Sequence, residues 1–475
     1  MALLRRKRKS AVKLAILGGG GFRVPFVHQA LLHGAGVVRV DEVVLHDIDS
    51  DRLTAITHVI DQLSTGVRDR LKLQVTTSLD EAVAGSDFVF AAIRVGGVDT
   101  RVHDERVALD LGVLGQETVG PGGVAAGLRT VPAMMHAAER VAKLAPSAYL
   151  LNFTNPAGMI TEAMQAVLGD RVIGICDTPS DLGRRVARAV GVDISRLQLD
   201  YVGLNHLGWM RRVIHRSEDV LPALLADDDR LETLEETQIF GAPLLRALGS
   251  VPNEYLYYHY RNREAVESIR SAACTRGEFL SVQQTDVFRH ILAGPARAAE
   301  IWREAVSQRD ASYMSEAKRR SQPSAVTKQA GSPTQQPTGG TVGGQDLAQH
   351  GYAGVALQVM GAIAENRPAT IILNVRNGAT IPGLPEDAVI EVPATVDANG
   401  VHPLPTASPD LHQLGLMQQV KAAERLTIRA ALSGSRADAQ LAFALHPLVN
   451  SLDVSARLVE GYVASVPELA AVLCR

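Results

Sequence analysis

The sequence predicts an α/β fold, with a doubly wound parallel sheet followed from about residue 195 by a second lobe of different character. Short apolar runs alternate with helical patterns through the first 190 residues. Four consecutive glycines, Gly18 to Gly21, follow the first of these runs. After residue 195 the pattern changes to the alternation of apolar and polar residues that is typical of antiparallel strands.

The first lobe is predicted to begin with a buried strand at residues 12–17, followed by a helix whose first turn contains Pro25. Strands separated by helical patterns imply right-handed crossovers and a parallel sheet. Ligands of such sheets bind beyond the carboxyl ends of the strands. Four further runs have this pattern of a strand followed by polar residues: VDEVVLHDID (40–49), SDFVFAAIRVGG (86–97), AYLLNFTNP (148–156) and RVIGICDTP (171–179).

The second lobe is predicted to mix antiparallel strands with helices. LQLDYVGLNHLGWMRRVIH alternates as antiparallel strand, and residues 370–396 indicate a strand, a turn and a strand. A stretch at 321–345 that is rich in Pro, Gly, Ser, Thr and Gln is either a linker or a lid over a substrate. Helical spacing recurs around 230–248, 285–306 and 345–365, and through 409–474.

Composition indicates a cytoplasmic enzyme. The 475 residues include 48 Lys plus Arg and 51 Asp plus Glu, a net charge of −3, which argues against a nucleic-acid partner. With 46% hydrophobic and 21% charged residues the chain is expected to be globular. Three cysteines exclude a disulfide scaffold and indicate a reducing compartment. The absence of any run of 18 apolar residues predicts no membrane partner.

The glycine-rich loop predicts a dinucleotide site. A strand that leads through glycines into a helix presents backbone N–H groups and the positive end of the helix dipole, which suits a pyrophosphate. Gly18 and Gly20 match the first two glycines of the dinucleotide fingerprint, whereas Arg23 replaces the third. Asp47, at the end of the second strand, could accept both ribose hydroxyls, which favours NAD over NADP. A purely structural tight turn is the alternative.

Polar residues follow several of the predicted strands. Arg94 and Arg101 could bind a phosphate or a carboxylate through their guanidinium forks, or form a salt bridge between the lobes. Glu117 lies among glycines in a loop, 114–123, that either caps a helix or contacts a ligand. Asn155, at the end of the strand in NFTNPAG, is a candidate ligand-binding residue; the alternative is that it only forms a turn.

Cys176 and His206 are the candidate metal ligands. A thiolate and an imidazole can bind a divalent transition metal. Two protein ligands are too few for a closed structural zinc site, so substrate or water would complete the shell. From residue chemistry alone, a buried cysteine and a hydrogen-bonded histidine are the favoured explanation of the pair.

An aromatic cluster at residues 251–260 supplies a candidate acid or base in a chain that is only 4% aromatic. Tyr257, Tyr258 and Tyr260 are predicted to be mostly core. Tyr255, beside two polar residues, is the candidate for proton transfer.

Together these motifs resemble glycoside hydrolase family four, most strongly its 6-phospho-β-glucosidase branch. The motifs are GGGG…HDID, IRVGG, GQETVGPGG, NFTNPAG, GICDTP, GLNHLGW and NEYLYY, and then IILNVRNGATIPGLPEDAVIEVP, ERLTIRAAL and ALHPLV. The resemblance implies a Rossmann-like NAD-binding lobe at 11–195. It also implies a substrate, metal and oligomerisation lobe at 196–475, similar to that of lactate and malate dehydrogenases, in a homodimer or homotetramer.

The resemblance further implies a site and a mechanism. Mn²⁺ or a similar ion would bind Cys176 and His206, while Arg94 and Asn155 would contact a small, phosphorylated β-glucoside. NAD⁺ would take hydride from C3 of the sugar, the metal would stabilise an enediolate, and Tyr255 would remove the C2 proton before the C1–O bond breaks. Water then adds and hydride returns to C3. Also predicted are substrate contact for Glu117, and cofactor contact for Gly18, Gly19, Gly20, Gly21, Phe22 and Asp47.

Two departures from the β-active pattern leave alternatives open. Gly21, Phe22 and Arg23 stand where relatives of the β branch carry serine, tyrosine and threonine, so Arg23 becomes a candidate phosphate contact. Asp177 follows the metal cysteine, as in α-active relatives, which use an aspartate there as a general acid. An α-specific family-four glycosidase and a simple NAD-dependent dehydrogenase are therefore the alternatives.

Overall fold

Thirteen strands form one sheet in the computed structural model, which describes residues 12–33, 37–67, 71–312, 317 and 351–474. The predicted insertion at 321–345 lies outside the described residues. The strands are β1 Val12–Leu17, β2 Val40–His46, β3 Lys72–Thr76, β4 Phe88–Ala91, β5 Tyr149–Asn152, β6 Val172–Gly174, β7 Gln198–Leu204, β8 Leu207–His215, β9 Glu218–Asp219, β10 Val251–Pro252, β11 Ala369–Arg376, β12 Val389–Asp397 and β13 Gly400–Pro403.

The first six strands are parallel, in the order β3-β2-β1-β4-β5-β6. This order reverses direction at β1, and ligands bind at such a switch point in doubly wound sheets. The predicted Rossmann-like α/β fold is confirmed. The loops that follow β1, β2, β4, β5 and β6 therefore leave the same edge of the sheet, whereas Glu117 lies in a connection between two helices, at residues 111–120.

The sheet continues past β6 with antiparallel strands, in the order β11-β12-β7-β8-β10. Asn374 on β11 pairs with Gly174 on β6, and Glu391 on β12 pairs with Gly203 on β7. β13 and β9 extend β12 and β8. One sheet thus runs through both predicted lobes, and a strand pair from late in the chain joins them.

Helices cover both faces of the sheet because its strands alternate between two cores. On β1, Leu14 and Ile16 belong to one buried cluster, while Ala15 and Leu17 belong to the other. The helices are α1 Val24–His33, α2 Ser50–Leu63, α3 Leu79–Val83, α4 Gly97–Asp110, α5 Pro121–Leu144, α6 Ala157–Leu168, α7 Thr178–Val190, α8 Leu221–Ala226, α9 Asp228–Leu231, α10 Glu235–Phe240, α11 Ala242–Leu248, α12 Tyr257–Tyr260, α13 Asn262–Ser271, α14 Arg276–Ala293, α15 Ala298–Ala311, α16 Tyr352–Glu365, α17 Leu411–Ser433, α18 Arg436–Leu445, α19 Leu452–Ser465 and α20 Pro467–Leu473.

The structure differs from the sequence prediction in three elements. Strand β3 was not predicted, because as the edge strand it is largely exposed and lacks an apolar run. The helical region at 230–248 is divided among three short helices, and a turn at Pro295 separates α14 from α15. None of the described helices is long and apolar enough to cross a membrane.

Candidate active site

The glycine-rich loop between β1 and α1 is held by the end of β2. The amides of Gly18 and Gly19 donate to His46 O at 2.9 and 2.7 Å. The Gly20 amide donates to Asp47 Oδ2 at 3.0 Å. A Cβ at Gly18, whose φ is +86°, would lie 2.4 Å from Ala92 O. Glycine is therefore required where this loop approaches its neighbours.

Asp47, the predicted ribose ligand, also accepts hydrogen bonds from backbone amides. In addition to the Gly20 contact, its Oδ1 accepts from the Asp49 amide at 3.2 Å. A carboxylate has about four acceptor positions, so two stay open to hydroxyl donors. Phe22, the next predicted cofactor contact, is buried, and its carbonyl accepts from Trp302 Nε1 at 2.9 Å.

Glu117 forms ion pairs with both arginines that were predicted to bind an anion. Its Oε2 lies 2.5 Å from Arg94 Nη2 and its Oε1 lies 2.7 Å from Arg101 Nη1. Burial would raise the pKa of Glu117, but the Arg101 and Arg94 guanidiniums outweigh it and hold that pKa at about 2. Arg101 is buried and also bonds Glu105 at 2.7 Å. The interlobe salt bridge considered for Arg101 is thus replaced by ion pairs within the first lobe.

His206 occupies the tip of the hairpin between β7 and β8. With Asn205 it forms a two-residue turn, and its φ is +62°, a conformation that favours Gly or Asn. Such strained backbone concentrates at functional sites. The His206 side chain is buried nonetheless, and burial lowers the pKa of His206 to about 4, which keeps the imidazole neutral at pH 7.

Two contacts fix the His206 ring. Its Nδ1 lies 3.2 Å from the Thr118 hydroxyl. Its face stacks on Tyr255, with ring centroids 3.9 Å apart and planes inclined by 5°. The described residues place no hydrogen-bond partner on Nε2, which leaves that nitrogen for a ligand. The predicted metal ligand and the predicted base therefore lie side by side.

Cys176 is tied to the same region through Thr178 and Asn253. The Cys176 thiol lies 3.2 Å from Thr178 Oγ1, which accepts from Asn253 Nδ2 at 3.0 Å. Asn253 Oδ1 in turn accepts from the Tyr255 amide at 3.0 Å. Burial, followed by the charges of Glu391 and Asp177, raises the pKa of the Cys176 thiol. A cation beside this thiol would offset those effects.

Asn155 and Asp177 complete the predicted set. Asn155 Oδ1 is buried and has no hydrogen-bond partner among the described residues. A buried acceptor of this kind indicates a missing donor, such as a sugar hydroxyl. Asp177 is half-buried, and burial raises its pKa, while the charge of Arg23 lowers it. Arg23 is exposed, and its Cζ lies 5.4 Å from the centre of the Tyr352 ring.

Comparison with known protein families assigns both parts of the chain. Residues 13–192 match the model described as family 4 glycosyl hydrolase. Residues 201–449 match the model of the C-terminal domain of the same family. The chain belongs to glycosyl hydrolase family 4. The predicted family is confirmed, and so is the prediction that the chain is a glycoside hydrolase.

Relatives in family 4 act on both anomers. A probable 6-phospho-β-glucosidase of Bacillus subtilis is 28% identical over 96% of this chain and 98% of its own. A 6-phospho-α-glucosidase of Lacticaseibacillus paracasei is also 28% identical, over 96% of this chain and 97% of its own. The 6-phospho-β-glucosidase of Thermotoga maritima, solved with manganese, NAD⁺ and glucose 6-phosphate, has a TM-score of 0.78 at 26% identity and covers 96% of this chain and 99% of its own.

This family 4 chain also contains a site residue that sequence reasoning missed. Glu391 is fully buried on β12 and accepts from Asn374 Nδ2 at 2.9 Å, Tyr201 Oη at 3.1 Å and Asn205 Nδ2 at 3.4 Å. Burial raises the pKa of Glu391 to about 7, although these three donors lower it. Asn205 precedes His206, so Glu391 supports the hairpin tip. An acidic residue inside the apolar run VIEVP was the available signal.

The donor set fits a metal ion that shares its shell with substrate. Within the described ranges, no group of three or more His, Cys, Asp and Glu side chains could hold a metal. Cys176 and His206 therefore suffice only if oxygens from substrate or water complete the shell. The carboxylate of Glu391 nearby has no ion-pair partner among the described residues, and a bound cation would compensate its charge.

Proposed function

We propose that this chain is an NAD⁺- and Mn²⁺-dependent 6-phospho-β-glucosidase, acting by the redox-assisted elimination that its sequence motifs imply. The stack of His206 on Tyr255, with Thr118 Oγ1 3.2 Å from the imidazole Nδ1, carries the proposal, because it brings the predicted metal ligand beside the predicted proton acceptor. The Thermotoga maritima relative, solved with manganese, NAD⁺ and glucose 6-phosphate, supports it.

Cofactor binding is assigned to the glycine-rich loop and to the metal-ligand pair. Gly18, Gly19, Gly20 and Gly21 with Phe22 would bind NAD⁺, and Asp47 would accept the ribose hydroxyls. Cys176 Sγ and His206 Nε2 would hold Mn²⁺. When bound, NAD⁺ supplies a hydride acceptor and Mn²⁺ supplies a Lewis acid that polarises sugar oxygens.

Tyr255 is the proposed base for the C2 proton. A tyrosine has a reference pKa of about 10, so its phenolate needs stabilisation at neutral pH. The Arg101 guanidinium contributes to it, since the charges of Arg101 and a Tyr255 phenolate attract each other. The His206 ring holds the phenol ring parallel to itself and so restricts the direction in which its oxygen points.

Substrate orientation is assigned to the polar residues around Glu117. Asn155 Oδ1 would accept a hydrogen bond from a sugar hydroxyl, which satisfies its buried oxygen. Glu117 holds Arg94 in place, and Arg94, 37% exposed, retains donors for the substrate. Arg23 is proposed to contact the phosphate. The Asp177 carboxyl, one residue beyond Cys176, favours a second candidate, an α-specific 6-phosphoglucosidase.

A substrate panel tests the function. We expect p-nitrophenyl 6-phospho-β-glucoside to be hydrolysed when NAD⁺, Mn²⁺ and a thiol reductant are present, without net formation of NADH. EDTA should abolish the activity and Mn²⁺ should restore it. Faster hydrolysis of the 6-phospho-α-glucoside would select the α candidate. Stoichiometric NADH without glycoside cleavage would select a dehydrogenase and overturn both.

The glycine-rich loop gives a sharper test of the cofactor site. A Cβ at Gly20 would lie 2.8 Å from Arg52 Cβ and 3.0 Å from Asp47 Oδ2. Gly20→Ala is therefore expected to weaken NAD⁺ binding at least about tenfold, because the Asp47 contact must shift. Gly415→Ala is the control, since no atom lies within 4 Å of a Cβ at Gly415. Equal NAD⁺ affinity of the two variants, measured by calorimetry, would remove this loop from the site.

The remaining parts of the proposal concern the division into domains, the oligomeric state and the cellular location. We assign NAD⁺ binding to residues 11–195 and substrate, metal and oligomer contacts to residues 196–475, in a homodimer or homotetramer. A cytoplasmic location is part of the same proposal, because Cys176 must stay reduced to bind metal. Sedimentation velocity of the purified chain measures the oligomer.

A further inference from the structure

Arg309 lies near the end of α15 and reaches across to the glycine-rich loop. Its Cζ is 3.4 Å from the centre of the Phe22 ring, and its Nε donates to Gln283 Oε1 at 2.8 Å. Its Nη2 is buried and has no hydrogen-bond partner in the described part of the chain. An unpaired buried guanidinium nitrogen is costly, which indicates a missing acceptor.

The surroundings of Arg309 are positively charged. Burial, followed by the charges of Arg23, Arg276, Arg101 and Arg52, lowers the pKa of Arg309 to about 9. Arg276 also bonds the Arg309 carbonyl through its Nη2 at 3.2 Å. The charges of Arg23, Arg276 and Arg309 act on the neighbouring Asp310. Its carboxylate is not bonded to Nη2.

We propose that Arg309, together with Arg23, binds a phosphate group at the end of the glycine-rich loop. Arg23 directly follows Phe22, the residue under the Arg309 guanidinium, so both side chains belong to one corner of the site. A guanidinium binds phosphate through two parallel hydrogen bonds, and a phosphate there would accept from Nη2. Phe22 also lies just before the N-terminus of α1, where backbone N–H groups favour an anion.

This inference rests on the proposed function and deepens it. The phosphate belongs either to the 6-position of the sugar or to the pyrophosphate of NAD⁺, and the same guanidinium chemistry serves both. Arg309 is encoded 286 positions after Arg23. Only the fold brings the two charges close to each other.

Calorimetry with the full chain separates the two sources. We expect Arg309→Gln to weaken glucose 6-phosphate or NAD⁺ binding by about 10- to 100-fold. If only the affinity for glucose 6-phosphate falls, Arg309 binds the sugar phosphate. If only the affinity for NAD⁺ falls, Arg309 binds the pyrophosphate. Arg303→Gln, an exposed position on the same helix, is the control. Unchanged affinity of Arg309→Gln for both ligands and for inorganic phosphate would overturn the inference.

Thermal unfolding tests whether Arg309 has a purely structural role. Because Arg309 is surrounded by like charges, Arg309→Gln should leave the Tm of the ligand-free protein unchanged or raise it, while it abolishes the Tm increase caused by inorganic phosphate. A lower ligand-free Tm with the phosphate response intact would mean that Arg309 only supports packing. Both readouts are independent of turnover, so a chain without glycosidase activity would overturn the proposed function and still test Arg309.

Discussion

Tyr255→Phe is expected to lower kcat for the phosphorylated glucoside by about 10²- to 10⁴-fold, the usual contribution of a positioned acid or base. Phenylalanine keeps the aromatic ring that stacks on His206 at 3.9 Å, so the metal-ligand geometry should persist. It lacks the oxygen that is proposed to accept the C2 proton. KM should therefore change only a few-fold, because the ground-state contacts of the sugar do not depend on this oxygen.

Hydrogen isotope exchange gives the second readout of the same variant. In D₂O the wild-type product should carry deuterium at C2, and residual product of the variant should form at a rate limited by that proton transfer. Tyr149→Phe is the matched control, because Tyr149 begins β5 and so lies at the edge of the sheet opposite to the site. A variant that keeps more than a tenth of wild-type kcat, or a wild-type product without deuterium at C2, would contradict the assignment.

His206→Asn is expected to weaken Mn²⁺ binding by at least about 10²-fold, more than the loss of an outer-shell partner costs. Asparagine is chosen because it tolerates the left-handed backbone, whereas alanine would add strain at φ +62°. Activity should fall in parallel, because Cys176 would then be the one remaining protein ligand of the proposed pair. Calorimetry or electron paramagnetic resonance of Mn²⁺ measures the affinity without turnover.

Two controls make the histidine result specific. His402→Asn changes an imidazole that is 55% exposed on a different strand, and should leave Mn²⁺ affinity unchanged. Tyr255→Phe should also bind Mn²⁺ normally, which separates loss of the ligand from loss of the ring stack. Wild-type affinity in His206→Asn would show that the metal, if bound, uses other residues.

The parallel half of the sheet was predictable because its strands are buried on both faces. Runs such as LAIL in β1 and FVFAAI in and after β4 are continuous apolar stretches that end at a glycine or a polar residue, and local composition is enough to identify them. The edge strand β3 has no such run. The strand pair β11 and β12 was recognised as strand, turn and strand, but its position between β6 and β7 depends on contacts across some two hundred residues.

The candidate site was predictable where a residue ends a strand. Cys176, Asn155 and Arg94 follow parallel strands, whose carboxyl ends share one edge of the sheet. Glu391 and Arg309 were missed for another reason. The side chains that they contact are distant in sequence. Glu391 does interrupt the apolar run VIEVP, but no local pattern shows which side chains bond to it.

The joining of the lobes by β11 and β12 bears on how the protein is made. Ribosomal synthesis releases Cys176 and His206 early, yet the strands that lie between β6 and β7 follow almost two hundred residues later. Amino-terminal parts of a chain generally fold first during synthesis. Here the nascent sheet would carry an open edge at β6 until residue 376, the end of β11, has emerged, and such edges attract other strands. Chaperone demand during translation should therefore peak over that interval.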